Sequence, residues 1–171
     1  MPAQVLAYAQ QIQTLQQRVE ALTAISIYVL EPNKTQILDE ALNLCRQIKD
    51  LSTRINLVIN ISVHLSEAQR TKVLKEALDL CKSIEESEIR TDLLVKISFH
   101  LSEFQRTEVL KEALDLWKII KDDFSKANIL LNISIISIHL SETERIQLLK
   151  EAVDFSRGIT DSWPLAHSII G

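Results

Sequence analysis

The chain has 171 residues, of which 46% are hydrophobic and 25% charged, with 19 Lys and Arg against 23 Asp and Glu for a formal net charge of −4. That balance suits a folded globular chain and offers no broad basic surface for a nucleic-acid backbone. Two glycines and three prolines are too few turn formers for an all-β fold, so an all-α class is expected.

The start, MPAQVLAYAQQIQTLQQR, has no basic n-region and no continuous apolar stretch, so it does not read as a secretory signal. No run approaches the ~18 apolar residues of a membrane span, and a cytoplasmic location is expected. A shift of 36 residues carries Leu42 to Leu6, Cys45 to Ala9 and Ile48 to Ile12. LAYAQQI therefore resembles the second half of a helix that recurs later, and residues 1–13 are assigned to a partial unit.

Four fuller units follow at about 14–49, 50–85, 86–121 and 122–160, with a last partial unit at 161–171. The recurrence is plainest between HLSEAQRTKVLKEALDLCKSIEESEIRTDLLVKISF at 64–99 and HLSEFQRTEVLKEALDLWKIIKDDFSKANILLNISIISI at 100–138. YVLEPNKTQILDEALNLCRQIKDLSTRINLVINISV at 28–63 is a divergent copy, and another begins at His139. A period of 36 to 39 residues implies stacked helical pairs, each burying its apolar face against its neighbours.

Each unit opens with a helix of the RINLVINISVHL type. Ser26, Ser62, Ser98 and Ser134 share one register in it and suit a helix crossing, with hydroxyls back-bonded to their own helix. No general base accompanies them, so nucleophilic catalysis is not indicated. His64, His100 and His139 close this helix, with Tyr28 in the equivalent place. Successive units hold them too far apart for one metal ion, and a donor role toward the last carbonyls is expected. No cofactor or metal is expected.

The second helix is of the QRTKVLKEALDLCKSI type. Val73, Leu74, Ala77, Leu78, Cys81 and Ile84 follow the three-and-four spacing of a buried stripe, and Ala41, Ala77, Ala113 and Ala152 mark close helix approach. Capping boxes are written as Ser66 with Gln69, Ser102 with Gln105 and Ser141 with Glu144. Cys45 and Cys81 fall one unit apart, roughly 10 Å in a stacked array, beyond disulfide reach. In the third copy Trp117 takes the cysteine place, and NISIISIHL then carries about three additional residues. A local change of superhelical pitch between 117 and 139 is expected. At the end, WPLAHSII reads as the start of another helix, with Trp163 as cap and Pro164 first in the helix. The incomplete ends are either native caps or cuts in a longer array.

This pattern, RxxxLLxxIS in one helix and LLKEALDL in the other, resembles tetratricopeptide-like α-solenoids, including degenerate arrays in large bacterial signalling proteins. A HEAT-like array is the nearest structural competitor. The resemblance implies a right-handed solenoid of antiparallel helix pairs, with the first helices lining a concave face. Ladders on that face run through Glu20, Asn56, Asp92 and Asn128, and through Ala24, Asn60, Lys96 and Asn132. Asparagine both donates and accepts, so these rungs suit the backbone of a bound peptide. Lys96, with Arg54 and Arg90 nearby, would fix an acidic residue of that peptide. Arg18, Arg54, Arg90 and Lys126 also share a register, and the structural alternative pairs them with Asp50, Glu86 or Asp122 at the preceding helix end.

The expected function is a non-catalytic protein-interaction or scaffold module for a peptide or helical partner. The alternatives are self-assembly into a dimer or filament through the open ends, and a HEAT-like lyase or nucleic-acid-processing enzyme. The enzyme would need a cleft with converging acid and base groups, and Glu76, Glu112 and Glu151 instead recur with the repeat. RNA reading would need basic and aromatic rungs, whereas the ladders are mostly amide and acidic.

Overall fold

The computed structural model describes residues 7–9, 11–136, 141–143, 145, 146, 150, 153 and 154. It is all-α. Seven helices are bounded among the described residues, and no strand occurs there: α1 (Leu15–Ser26), α2 (Asn33–Cys45), α3 (Leu51–Ser62), α4 (Glu67–Cys81), α5 (Ser87–Ser98), α6 (Glu103–Ile119) and α7 (Asp123–Ile136). Leu6, His139, Glu144, Ala152, Trp163 and Pro164 lie outside the described residues, as does the whole of the last partial unit.

Local chemistry sets the helix starts. Thr14 accepts from the Gln17 N–H at 3.3 Å, Asp50 from Thr53 at 2.7 Å and Asp122 from Ser125 at 2.7 Å. Each side chain satisfies a backbone donor that the first helical turn leaves without a partner. The Thr53 and Ser125 side chains, and after them these backbone bonds, hold the Asp50 and Asp122 carboxyls below their ordinary range by stabilising the ionised form. At the second helices, Ser66 N–H donates to Gln69 Oε1 at 3.4 Å, and the Ser66 and Ser102 hydroxyls donate to Gln69 and Gln105 at 2.7 and 3.0 Å.

Short turns then decide the packing. Val63 to Ser66 joins α3 to α4, and Phe99 to Ser102 joins α5 to α6, so each pair folds back on itself. α1 packs on α2, α3 on α4 and α5 on α6, the last being the most extensive contact. Each second helix also meets the following first helix. The first helices further touch one another in sequence, α1 to α3 to α5 to α7, whereas no comparable contact links α2 with α4 or α4 with α6.

The core recurs at equivalent positions. Leu38, Leu74 and Leu110 are 2%, 1% and 0% exposed, and Ala41, Ala77 and Ala113 are all fully buried. The missing side chain of alanine is what lets α2, α4 and α6 lie close to their partners. Ser26, Ser62 and Ser98 are also fully buried. Their hydroxyls donate to the carbonyls of Thr23, Ile59 and Val95 at 2.7, 2.7 and 2.6 Å. A buried hydroxyl without a partner would cost about 1–3 kcal/mol, and the bond within the helix removes that cost without help from another element.

Trp117 does not overpack the cysteine position. It remains 5% exposed, and its indole N–H crosses the turn to the Lys126 carbonyl at 2.9 Å, while Lys126 Nζ stands 5.4 Å from the ring centre. α6 also runs on to Ile119, where α2 and α4 stop at Cys45 and Cys81. The inserted segment reaches residues 137–140, outside the described residues, and so does the expected change of pitch.

Candidate functional site

Asn56, Asp92 and Asn128 come from α3, α5 and α7, first helices each in contact with the next, and all line one groove of about 370 Å³. Ile89, Leu93 and Ile129 form its apolar floor, and Ser52, Glu88 and Ser125 complete the lining. The groove carries carboxylates and amides. Asn56 Nδ2 already donates to the Ser52 carbonyl at 2.9 Å, so that amide offers chiefly its oxygen. Asn128 is exposed. Glu88 Oε2 accepts from the Ser125 hydroxyl at 3.2 Å, which ties α5 to α7 across the groove.

The remaining rungs separate. Glu20, Ala24 and Asn60 line a second hollow of about 390 Å³, between α1 and α3, together with Val63, His64 and His100. Lys96 lies in neither hollow and is paired with Asp92 at 2.6 Å, one helical turn away. Asn132 is half-buried and lines neither.

Arg54 and Arg90 are turned away from the groove. Arg90 pairs with Glu112 of α6, not with Glu86, and Arg54 lies near Cys45 at the end of α2, where its charge acts on the thiol. The reason is angular. Arg54 precedes Asn56, and Arg90 precedes Asp92, by two positions, and at 3.6 residues per turn two positions are about 200° apart on a helix. The basic column therefore faces the second helices. Glu76 is likewise paired, with Arg46 at 3.2 Å. Asp50 and Asp122 are occupied as caps and do not serve the arginines.

His64 and His100 are half-buried and face a common hollow. Burial and the charge of Arg70 lower the His100 pKa, favouring the neutral ring. The carbonyls at the ends of the first helices are bonded instead by arginines of the following helix. Arg70 donates from Nε to Ser62 O at 3.1 Å and from Nη2 to Leu65 O at 3.4 Å; Arg106 donates to Ser98 O and Leu101 O, both at 3.0 Å. The sequence does carry a signal for this role, since Arg70, Arg106 and Arg145 each stand six residues after a histidine. No group of three or more His, Cys, Asp or Glu able to hold a metal ion occurs among the described residues. None of the described helices is long and apolar enough to cross a membrane.

Cys45 and Cys81 are free, fully buried thiols. Burial pushes both up to about 12 from 9.0. The folded chain then holds protons that the unfolded chain releases, so stability is expected to fall as pH rises through the window from 9 to about 12. Denaturant melts of the native chain and its Cys45→Ala, Cys81→Ala variant at intervals across that window test this. An identical pH slope in both proteins would remove the thiols as the cause.

No protein-family model, no curated protein and no solved structure matches this chain.

Proposed function

We propose that the chain is a non-catalytic interaction module, a tetratricopeptide-like array of stacked helix pairs that holds a peptide or helical segment of another protein across α3, α5 and α7. The observation that carries this reading is the groove shared by Asn56, Asp92 and Asn128. Three helices contribute equivalent polar rungs above an apolar floor, the arrangement a linear partner needs: amides and carboxylates for its backbone and cations, and aliphatic contacts for its side chains. The closer approach among first helices than among second helices supports a solenoid curved toward the first-helix layer, with this groove on its concave side.

The chemistry of the remaining groups supports binding over catalysis. The Ser26, Ser62 and Ser98 hydroxyls are spent on helix carbonyls, and both thiols are buried and protonated at neutral pH. Asp92 is already paired with Lys96, so Glu88, which makes no ion pair among the described residues, is the wall carboxylate open to a cation of the partner. A cytoplasmic scaffold role fits a chain with buried reduced cysteines.

A displayed library of short peptides, selected on the native chain and re-measured on an Asn56→Ala, Asp92→Ala, Asn128→Ala variant, tests the groove. Selected peptides should lose affinity on the order of tenfold while the melting temperature stays within a few degrees, since Asn128 is exposed and Asn56 and Asp92 are half-buried rather than part of the core. Peptides that bind both proteins equally well would dismiss this face as the binding surface.

A further inference from the structure

The large exposed hydrophobic side chains are not scattered. Of the eleven found among the described residues, five lie at the turns that join a first helix to its second helix, Ile27, Tyr28, Leu30, Val63 and Phe99, and Phe104 stands in the first turn of α6 just beyond. Isolated apolar residues on a surface are ordinary, whereas a contiguous set marks an interaction site. Ile27, Val63 and Phe99 close successive first helices one 36-residue step apart, with exposures of 58%, 46% and 46%. Four residues further along the chain stands a second column, Glu31, Glu67, Glu103 and Glu142, all exposed. An acid in the first turn is favourable for its own helix, which accounts for Glu67 and Glu103 but not for the apolar column beside them. Glu67 and Glu103 make no ion pair among the described residues. Arg70 and Arg106, the cations nearest in sequence, are bound to carbonyls. His64 and His100 line one hollow with Val63 of the apolar column.

We propose that this edge of the molecule, distinct from the groove, docks a basic amphipathic helix of a partner protein, laid across the ends of α1, α3 and α5. The spacing selects a helix. Packed neighbouring helices lie about 8–10 Å apart, and seven residues of α-helix rise about 10.5 Å. One apolar residue per heptad therefore meets Ile27, Val63 and Phe99 in turn. The glutamate column selects the flanks, because lysine or arginine beside that apolar stripe meets Glu67 and Glu103, carboxylates that make no ion pair among the described residues. A second copy of this chain is the alternative occupant, and it is read out by the same experiment.

The probe is a synthetic helical peptide of three heptads, with Leu once per heptad and Lys beside it, labelled for fluorescence anisotropy. Controls carry Glu in place of Lys, or the same composition scrambled. The 171-residue chain should bind the basic peptide more tightly than either control, on the order of tenfold, with affinity falling as salt is raised. Val63→Ser with Phe99→Ser should weaken binding by a similar factor. Glu67→Gln with Glu103→Gln, exposed positions that leave the fold intact, should flatten the salt dependence. The groove variant Asn56→Ala, Asp92→Ala, Asn128→Ala should bind the peptide unchanged, which separates this surface from the groove. Equal binding of the basic and acidic peptides, or no binding, overturns the proposal. So does a dimer in light scattering that Val63→Ser with Phe99→Ser dissolves, since the edge would then belong to a second copy.

Discussion

Leu110→Ala is expected to destabilise the chain by about 2–5 kcal/mol, the usual cost of removing a large aliphatic side chain from a site that cannot collapse. Leu110 is 0% exposed and lies on α6, in the most extensive contact among the described helices. Its equivalents Leu38 and Leu74 fill the same position in the preceding pairs. Phe104→Ala is the matched control, for Phe104 belongs to the same helix and is 79% exposed. It should change stability by no more than about 0.5 kcal/mol. Urea melts followed by circular dichroism provide the comparison. Similar midpoints for the two variants would mean that α6 is not seated on α5 as described.

Arg106→Ala is expected to cost about 1–3 kcal/mol, because it removes two hydrogen bonds from carbonyls at the end of α5 and leaves them to find water in a half-buried place. Arg106 reaches both Ser98 O and Leu101 O at 3.0 Å with two different nitrogens. Arg106→Lys should recover only part of the loss, since an ammonium on a flexible stem does not reproduce the planar two-point contact. Arg70→Ala should act in the same way on α3, through Ser62 and Leu65. Hydrogen exchange localises the effect: protection should fall first in the last turn of α5 for Arg106→Ala, and of α3 for Arg70→Ala. A melting midpoint equal to that of the native chain would show that these bonds contribute nothing to the fold.

The roles of these arginines show where the reading of the chain stops. The histidines were the expected partners of the first-helix carbonyls, being adjacent to them in sequence. The turn from Val63 to Ser66, however, brings the start of α4 back beneath the end of α3, and a longer side chain from the next helix arrives there first. The same limit applies to Arg90. Its partner Glu112 is 22 residues away, on a helix whose rotation about its own axis is fixed only by packing. Asn56, Asp92 and Asn128 were recognisable as one column from their even spacing. That Glu20 belongs to a different hollow was not, because a hollow is made by the gap between helices and not by their register.

What the sequence determined by itself is whatever depends on local geometry and period. The all-α class, the helix starts at Ser66 and Ser102, the burial of Ala41, Ala77 and Ala113, and the serine bonds inside α1, α3 and α5 all follow from side chains acting within one or two turns of themselves. The tertiary structure alone decided which charges meet. It set Arg90 on Glu112 and Arg46 on Glu76, and gave Trp117 the Lys126 carbonyl. Several carboxylates lay within a plausible sequence distance of each cation, and the choice among them rests on interhelical distances and helix rotations that no period in the chain specifies.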